Sequence, residues 1–520
     1  MTAGTPTLAL ARRVLSERYG HDDFRGVQGD VVRAALAGRD VLALMPTGAG
    51  KSVCFQIPAL LAPGTTLVVS PLISLMTDQV DRLRALGVEA AALHGALEHG
   101  QRERTLAALA AGALKLLYVA PERFGSRPFA RALAAARVAR LAVDEAHCIV
   151  SWGRSFRPAY RGLGAVRARL GCPCTALTAT ATPAVRTEIV AELGLIDPAT
   201  FATGVDRPNL RWEVERLRGR RAKDLRLLNL VRGERAGRVL VYAATRRTTD
   251  ALADLLRGRG VDAVAYHAGV SDAERARLQR RFLGGDARVV VATSAFGMGI
   301  DRPDVRAVVH YDMPGALEDY VQEAGRAGRD GLPSRCVLLY AKGDERVHVQ
   351  LGRQSHPPPA LVRAVLSFLR ARAVTGAPPH GASSLRLRPV EVMGAVRGLS
   401  GPQQLEAAIR VLREEGLVAA GRPDARGGVS LVVEGAGGLS RRGRARRREA
   451  LARERESLAA MRAYARARTC RRALILAHFA EPAGRGPCSD CDVCAPAGPR
   501  PDPPARTRRG RPLCVGGVRS

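Results

Sequence analysis

The stretch that decides the fold is VLALMPTGAGKS, residues 41–52. A short apolar strand leads into a glycine-rich turn, and a helical pattern begins at its end. Glycines let backbone N–H groups turn toward a phosphate, and the helix N-terminus adds positive potential. Lys51 would reach the β- and γ-phosphates of a nucleotide, and Ser52 would hold Mg²⁺. The pattern predicts a nucleotide site formed by Thr47, Gly48, Gly50, Lys51 and Ser52.

One position of this loop departs from the usual phosphate-binding pattern. Met45 stands where G-x-x-x-x-G-K-[ST] has its first glycine. A glycine-rich turn between a strand and a helix, without a ligand, is therefore the alternative interpretation. The scarcity of lysine favours the nucleotide site, because only four of the 81 basic residues are lysine and Lys51 is one of them.

A pair of acidic residues would complete the nucleotide site that the phosphate loop begins. Leu141–Val143 has the pattern of a buried strand, and Asp144 and Glu145 follow it directly. Metal-assisted phosphoryl transfer needs a carboxylate near Mg²⁺ and a group that orients the attacking water. Asp144 fits the first role and Glu145 the second. Adjacent acidic residues are common on protein surfaces, so this pair indicates a nucleotide site only in combination with the phosphate loop.

Short apolar strands alternate with helical segments on both sides of these motifs, which predicts parallel α/β sheets. The first series ends near 178 and the second begins near Arg238, so two sheets in tandem are expected, joined near Asp206–Asn209. The predicted strands are 39–45, 66–70, Leu114–Val119, Leu141–Val143, Thr175–Thr178, Val239–Tyr242, Ala263–Tyr266, Val289–Ala292, Ala307–Tyr311 and Cys336–Tyr340.

The pattern changes after the proline-rich segment His356–Pro359. Leucines and other apolar residues recur there at helical spacing, and two β-like pieces follow at Leu417–Ala420 and Val429–Val433. Helices followed by a hairpin predict a small winged-helix-like unit; a helical linker with a chance hairpin is the alternative. Six arginines between Arg441 and Arg448 indicate either a solvated helix start or phosphate contacts.

The charge balance points to a polyanionic partner. The formal net charge is +32, which favours nucleic acid, with a solvated arginine-rich surface as the alternative. No run of about 18 uncharged apolar residues suggests a membrane span, and the N-terminal residues lack the pattern of a signal peptide. We therefore expect a cytoplasmic, nucleoid-associated protein with no membrane partner.

Four of the ten cysteines fall close together near the C-terminus. Four thiolates suit a tetrahedral Zn²⁺ ion, and a [4Fe–4S] cluster or unmetallated thiols are the alternatives. An iron–sulfur run would place its fourth cysteine downstream, whereas here the partner lies upstream. The predicted zinc ligands are Cys470, Cys488, Cys491 and Cys494.

Several segments together resemble the superfamily 2 helicases and, among them, the RecQ family. The resemblance runs from Phe24 to Tyr340 and resumes at Cys470–Cys494. Phe24–Gln28 resembles the motif ahead of the phosphate loop, which implies that Gln28 reads adenine with Arg25 beside it. The other matching segments are Ser70–Val80 on the DNA side, Leu177–Ala181 between the lobes, Ala292–Asp301 as the fifth motif and Tyr320–Gly331 as the sixth.

The sixth motif supplies the arginines that the chemistry needs. Negative charge spreads over the γ-phosphoryl oxygens in the transition state, and an arginine from the facing lobe can stabilise it. We predict Arg329 as this arginine finger, Arg326 as its neighbour on the phosphate, and Gln322 as a third catalytic residue of the motif. Because Arg326 and Arg329 are three positions apart, a helix would turn both toward the cleft.

An aromatic-rich segment follows the two acids. Aromatic residues make up 4% of the chain, yet three fall within nine positions of Cys148–Tyr160, a segment that resembles the RecQ aromatic-rich loop. Rings can stack on unpaired bases and an arginine can contact the backbone; a core cluster is the alternative. Arg154 and Ser155 replace the family's usual His and Asp. The predicted DNA contacts are Trp152, Phe156, Arg157 and Tyr160.

The resemblance implies two tandem RecA-like lobes, residues 1–207 and 208–345, and a zinc module at 441–497. The helix and hairpin pattern places the winged-helix-like unit between them at 346–440, and the composition predicts a disordered basic tail at 498–520. In the better-known layout the zinc module follows the motor directly, so this order is unusual.

The implied activity is an ATP- and Mg²⁺-dependent, 3′-to-5′ DNA helicase of recombination and repair that acts on single-stranded and forked DNA. A monomer is expected, with a single-strand-binding protein as a candidate partner. An RNA helicase or remodeller and a DNA-binding regulator without ATPase activity are the alternatives.

Overall fold

The structure is a computed structural model of the 520-residue chain. It describes residues 7–46, 48–151, 158–296, 302–375, 384–387, 389–420, 429–433, 437–484, 486–488 and 490–495. Thr47 of the predicted phosphate loop lies outside these ranges, as do Trp152, Phe156 and Arg157 of the aromatic-rich segment and the tail from 498 onward.

The first lobe is built on a parallel sheet of seven strands. They are β1 (Val41–Leu44), β2 (Thr65–Val69), β3 (Ala90–Leu93), β4 (Leu116–Val119), β5 (Val138–Val143), β6 (Cys174–Thr178) and β7 (Ala199–Ala202). Their order is β3-β4-β2-β5-β6-β1-β7, and every pairing is parallel. Strands β1, β2, β4 and β6 are buried at every position, as expected for a sheet covered on both faces.

Helices cover this sheet and return the chain to the start of each next strand. They are α1 (Leu8–Tyr19), α2 (Gln28–Leu36), α3 (Val53–Leu61), α4 (Ile73–Ala85), α5 (His99–Ala110), α6 (Arg127–Ala135), α7 (Cys148–Ser151), α8 (Leu163–Leu170) and α9 (Pro183–Leu193). Because the strands are parallel, their carboxyl ends meet at one edge of the sheet, where ligand sites of this fold class lie. The phosphate loop after β1 and the two acids after β5 therefore share an edge.

The second lobe repeats this architecture with six parallel strands. They are β8 (Leu210–Leu217), β9 (Arg238–Tyr242), β10 (Ala263–Tyr266), β11 (Val289–Ala292), β12 (Val305–His310) and β13 (Ser334–Ala341), in the order β10-β11-β9-β12-β13-β8. Its helices are α10 (Gly219–Gly233), α11 (Arg246–Arg257), α12 (Asp272–Gly284) and α13 (Leu317–Ala324). The prediction of two tandem α/β sheets is confirmed.

Three edge strands, β3, β7 and β8, were not predicted from the sequence. Strand β8 reads LRWEVERL, and its charges hid it from a search for apolar runs. In the structure those charges are paired, since Arg335 Nη2 lies 2.6 Å from Glu213 Oε2 and Arg226 Nη2 donates to Glu215 Oε1 at 2.6 Å. An edge strand needs burial on fewer sides, so paired charges are tolerated there.

A separate small unit follows the second lobe after helix α14 (Glu345–Ser355). It contains α15 (Pro359–Thr375), β14 (Ser384–Leu387), α16 (Pro389–Ala395), α17 (Pro402–Glu414), β15 (Val418–Ala420) and β16 (Val429–Val433). The sheet is antiparallel in the order β14-β16-β15. One helix, one strand, two helices and two strands in this order form a winged helix, as predicted. Its own core includes Leu361, Val365, Leu369, Leu405 and Leu412.

The winged-helix unit is an insertion between two helices that pack on each other. Helix α18 (Arg441–Arg466) returns to α14, where His356 Nε2 lies 3.6 Å from Glu454 Oε2. A β-carbon at Gly352 would lie 2.7 Å from Glu454 Oε1, so glycine permits this close approach. Helix α14, which the sequence analysis assigned to the winged-helix unit, thus packs with the segment that carries the cysteines.

Helix α17 occupies the place of the helix that enters the major groove in helix-turn-helix proteins. Here it packs against α14, and Gln404 Nε2 donates to the carbonyl of Arg353 at 3.1 Å. Part of the surface of α17 is therefore occupied by α14.

The cysteine-bearing part of the predicted zinc module, called here the four-cysteine segment, comprises the described residues 470–484, 486–488 and 490–495. It lies against the outer edge of the second lobe. It includes helix α19 (Arg471–His478), and Cys491 forms a parallel bridge with Trp212 of β8. Asp492 N donates to the carbonyl of Trp212 at 3.1 Å, and Val214 N donates to Asp492 Oδ2 at 3.0 Å. The segment thus covers the otherwise open edge of the sheet. Within the described ranges, every helix is too short or too polar to span a lipid bilayer.

Candidate nucleotide site and four-cysteine site

The phosphate loop connects β1 to α3 and has the conformation that its glycines allow. Gly48 and Gly50 have φ of +88° and +72°, a region that only glycine adopts readily. Met45 has no positive φ; it is buried, and its N–H donates to the carbonyl of Thr178 at 3.0 Å. A side chain is therefore tolerated at Met45, where the usual pattern has glycine.

Gln28 is bound to this loop. Its Nε2 donates to the carbonyls of Ala49 at 2.8 Å and Gly50 at 3.2 Å, and its Oε1 accepts from Arg25 N at 2.9 Å. The Arg25 side chain is exposed. Both Nε2 hydrogens are used in these bonds, whereas Oε1 accepts only one of the two hydrogen bonds it can take. An adenine contact through Oε1, as the resemblance implies, would leave these bonds in place, and a contact through Nε2 would replace one of them.

Gly50 offers a direct test of the loop, because a β-carbon there would lie 2.5 Å from Gln28 Nε2. We expect Gly50→Ala to weaken ATP binding about tenfold, since the left-handed backbone is strained and Gln28 must move. Gly20→Ala is the matched control: Gly20 has φ of +67° with nothing within 4 Å of its β-carbon. It should lower the melting temperature and leave the KM for ATP unchanged. Equal KM values for the two variants would contradict this account.

The two acids follow β5 at the same edge of the sheet, and both are buried. Asp144 N donates to the carbonyl of Val69 at 2.9 Å, and Asp144 Oδ1 accepts from Glu145 N at 3.0 Å. Glu145 has φ of +49°, which is strained for a residue with a side chain and is typical of functional sites. Burial and the neighbouring Glu145 carboxylate raise the pKa of Asp144 to about 7.

Glu145 experiences positive charge from both lobes. Burial acts to raise its pKa, but Lys51 and His147 of the first lobe and Arg326 and Arg329 of the second lower it below its ordinary value. The carboxylate is therefore held in its ionised form, which is the form that can orient water.

His147 links the acids to the segment Leu177–Ala181. Its Nδ1 lies 2.9 Å from Thr178 Oγ1 and 3.4 Å from Glu145 Oε2. The Thr178 hydroxyl donates to the carbonyl of Thr180 at 3.2 Å, so Nδ1 of His147 must carry the proton in the bond to Thr178. No role was predicted for His147 or Thr178 from the sequence, where their position in two motifs is the signal that could have identified them.

The arginines of the sixth motif lie in a turn and not in a helix. Helix α13 ends at Ala324, and residues 325–331, named here the arginine turn, follow it as a series of turns. The prediction that a helix orients Arg326 and Arg329 is therefore wrong. Arg326 is buried, and Gln322 is half-buried on α13 outside the cavity described next. Within the arginine turn, Gly328 has φ of +55°, which α-helical geometry excludes.

Lys51 and Arg329 line the same cavity, which has a volume of about 320 Å³. A β-carbon at Gly48 would lie 3.4 Å from both Cγ and Cδ of Arg329, so the arginine rests on the phosphate loop. The first lobe supplies nearly all of the lining, and Arg329 comes from the second lobe. The lining includes Gly48, Gly50, Lys51, Ser52, Asp78, Asp144, Glu145 and Arg329. The volume lies in the range of small-molecule sites.

Tyr160 is not available for the stacking role predicted from the sequence. Its side chain has 0% exposure and belongs to the apolar core of the first lobe with Ile149 and Leu163. A ring enclosed in a core presents no face to an unpaired base, so this prediction is corrected. Tyr160 instead contributes to the packing of the first lobe.

The four predicted zinc ligands converge. The Sγ atoms of Cys470, Cys488, Cys491 and Cys494 all lie within 4.8 Å of one another. Tetrahedral zinc with Zn–S bonds of ~2.3 Å requires sulfurs ~3.8 Å apart, so this donor set fits the ion. Ala473 N lies 3.5 Å from Cys470 Sγ and Cys494 N lies 3.3 Å from Cys491 Sγ, and these N–H groups would stabilise thiolates.

Three family models match the chain in the order of these parts. The DEAD/DEAH box helicase model matches residues 25–189, the helicase conserved C-terminal domain matches 222–331, and the RecQ zinc-binding model matches 437–495. The residues between 332 and 436, which hold the winged-helix unit, fall between the second and third matches.

Curated relatives are similar over the same region. The ATP-dependent DNA helicase RecQ of Synechocystis sp. is 45% identical over 333 residues, covering 62% of this chain and 69% of that protein. The ATP-dependent DNA helicase RecQ of Pasteurella multocida is 43% identical over 341 residues, covering 65% of this chain and 53% of that protein. For several such relatives the chain spans little more than half of their length.

Solved structures agree on the fold. Saccharomyces cerevisiae Dbp5 bound to RNA and ADP BeF3 matches with a TM-score of 0.54 at 18% identity, covering 67% of this chain and 92% of that one. At this identity the match concerns the architecture of the two lobes alone.

Proposed function

The chain belongs to the RecQ family of helicases, and from that premise we propose that it is an ATP-dependent DNA helicase. One observation carries the proposal: Lys51 of the first lobe and Arg329 of the second line the same cavity. A γ-phosphate bound there would be held from both lobes. Hydrolysis would remove the group that both lobes contact, and the lobes would separate.

Several residues of the cavity have distinct roles in this reaction. Lys51 neutralises the β- and γ-phosphates, Glu145 orients the attacking water, and Arg329 stabilises the charge that develops on the transferred phosphoryl group, with Arg326 beside it. The Ser52 hydroxyl and the Asp144 carboxylate line the cavity and supply oxygen donors of the kind that Mg²⁺ prefers. Bound there, the ion would neutralise phosphate charge.

The DNA strand is proposed to cross both lobes on the side of Ile73, which is 41% exposed near the start of the segment Ser70–Val80. Asp78, farther along this segment, lines the nucleotide cavity. We extend the proposal to 3′-to-5′ movement on single-stranded DNA and unwinding of duplex or forked DNA in recombination and repair. The chain would act as a monomer near the nucleoid, with a single-strand-binding protein as partner. The net charge of +32 supports a polyanionic substrate.

Lys51→Ala should lower DNA-stimulated ATP hydrolysis about 10²–10³-fold, the range seen when a preorganised charge is removed from a reacting centre. Lys342→Ala is the matched control, because Lys342 is an exposed lysine of the second lobe. A steady-state ATPase assay with single-stranded DNA measures both. If Lys51→Ala retains wild-type turnover, the assignment of the nucleotide site is wrong.

The nucleic-acid substrate is tested by strand separation on tailed duplexes. DNA and RNA duplexes of one sequence, each with a 3′ or a 5′ single-stranded tail, would be compared with the same ATP supply. We expect unwinding of the 3′-tailed DNA. Preferential unwinding of RNA would favour an RNA helicase, and no ATP hydrolysis with any nucleic acid would favour a regulator without a motor.

A further inference from the structure

The connection between the two lobes, residues 205–210, is held by the zinc module. Val205 N donates to both carboxylate oxygens of Glu481, at 2.9 and 2.8 Å. Arg472 Nη2 donates to the carbonyls of Arg207 at 3.3 Å and Pro208 at 3.1 Å, and its Nε lies 3.3 Å from Asp206 Oδ1. The backbone of this connection is thus bound at several points from one side.

Two side chains of the same connection reach forward to the arginine turn. Arg207 donates to the carbonyl of Gly325 at 3.2 Å, of Ala327 at 3.1 Å and of Gly328 at 2.8 Å. Asn209 Nδ2 donates to the carbonyls of Gly328 at 2.8 Å and Leu332 at 3.1 Å. In the sequence, these four carbonyl groups lie before, between and after Arg326 and Arg329.

The arginine turn depends on such donors because it is not a helix. Carbonyls in a helix bind the N–H groups one turn later. In this turn the carbonyls of Gly325 and Ala327 accept from Arg207, and that of Gly328 accepts from Arg207 and Asn209 as well as from Gly331 N at 3.0 Å. Gly328 allows the closest approach, since a β-carbon there would lie 2.4 Å from Asn209 Nδ2. Arg207 also borders a small cavity of about 20 Å³ with Pro46 of the phosphate loop and Gly325. Arg207 therefore lies where the connection, the arginine turn and the first lobe meet.

We propose that Arg207 and Asn209 are positioning residues that set the arginine turn against the phosphate loop, with Arg472 and Glu481 of the zinc module holding their backbone. This inference rests on the proposed function, because both residues act through Arg329. Misplacing a reacting group by ~1 Å can cost ~10²-fold in rate. Removing these donors should therefore affect turnover more than nucleotide binding.

The kinetic test compares Arg207→Ala and Asn209→Asp with the wild-type chain in DNA-stimulated ATP hydrolysis. We expect kcat to fall about 30–100-fold in Arg207→Ala, with KM and the affinity for a fluorescent ADP within about threefold. Asn209→Asp keeps the shape of the side chain and removes both donors, so it should lower kcat with little loss of folding. Arg207→Lys, which keeps one donating group, should recover part of the activity.

Arg211→Ala is the matched control. Arg211 donates to Asp490 Oδ1 at 3.1 Å and to the carbonyl of Ala495 at 2.6 Å, so it contacts the zinc module without any bond to the arginine turn. Its kcat should stay within about threefold of wild type, because loosening the module alone leaves Arg207 and Asn209 bound. A fall as large as that of Arg207→Ala would overturn the proposal in favour of a general loss of structure.

A double-mutant cycle of Arg207→Ala with Arg329→Ala distinguishes a positioning role for Arg207 from a general effect on protein stability. If Arg207 acts through Arg329, then Arg207→Ala should cost no more than about twofold in the Arg329→Ala background, because coupled residues are not additive. An undiminished cost there would overturn the proposal, as would a wild-type kcat in both Arg207→Ala and Asn209→Asp.

Hydrogen exchange gives a readout that does not need activity. Peptides covering 320–331 should exchange faster in Arg207→Ala than in wild type, whereas those covering β1 and β5 should not change. Unchanged exchange at 320–331 would overturn the proposal even if the wild-type chain hydrolysed no ATP. The absence of wild-type hydrolysis would instead refute the proposed function alone, so the two failures are distinguishable.

Discussion

Arg329→Ala is expected to lower kcat for DNA-stimulated ATP hydrolysis about 10³-fold or more, the range for loss of an arginine finger. The reason is geometric: Arg329 rests on Gly48 of the phosphate loop and lines the cavity that holds Lys51 and Glu145. Nucleotide binding should change much less, because an arginine finger acts mainly on charge that develops in the transition state. Single-turnover hydrolysis and equilibrium binding of ADP measure the two effects separately.

Two comparisons make this prediction specific. Arg329→Lys keeps the charge but loses the planar fork, so its kcat should lie between alanine and wild type. Arg257→Ala is the matched control, since Arg257 ends α11 at the opposite edge of the sheet from the strand carboxyl ends. Wild-type turnover in Arg329→Ala would mean that Arg329 is not the finger, and Arg326→Ala would then be the variant to compare.

Loss of the metal is expected to have the largest effect on stability. Structural zinc sites contribute ~10 kcal/mol or more of apparent folding free energy, and ~1 kcal/mol corresponds to ~2–4 °C in a domain of 150–250 residues. Cys491→Ser removes a fully buried ligand that bridges to Trp212. We expect the loss of bound zinc, a melting temperature lower by ~10 °C or more, and proteolysis within the four-cysteine segment.

Fluorescence and metal analysis check this outcome. Trp212 is 3% exposed and is one of only two tryptophans, so uncovering β8 should shift the emission to longer wavelength. Cys172→Ser is the control, because Cys172 is a buried cysteine of the first lobe and should leave the zinc content unchanged. Retention of one zinc ion per chain by Cys491→Ser would contradict the assignment, and iron with visible absorbance in the wild-type protein would indicate an iron–sulfur cluster.

Local sequence patterns predicted much of this protein. Ten of the thirteen strands of the two sheets, the phosphate loop with Lys51, the two acids after β5 and the four cysteines were all predicted from neighbouring residues. Such features are encoded within a few positions, because strand burial, glycine turns and ligand spacing are local requirements. The family motifs then indicated that the two sheets share one nucleotide.

Long-range packing decided what the sequence left open. Tyr160 looked like a stacking residue, but the apolar residues that enclose it come from other elements, so its burial was not visible locally. The arginine turn looked helical from its spacing, whereas Asn209, 119 residues before Gly328, binds it in another shape. The order of modules suggested a winged helix ahead of the cysteines, and only the packing of α14 on α18 revealed an insertion.

The sequence by itself therefore determined which chemical groups the protein carries and on which strands and turns they lie. The tertiary structure decided which of those groups meet, because the contacts of Arg329 with Gly48 and of Arg472 with the connection join residues hundreds of positions apart. Their distances depend on how two lobes and a zinc module pack together, and no local pattern specifies that packing.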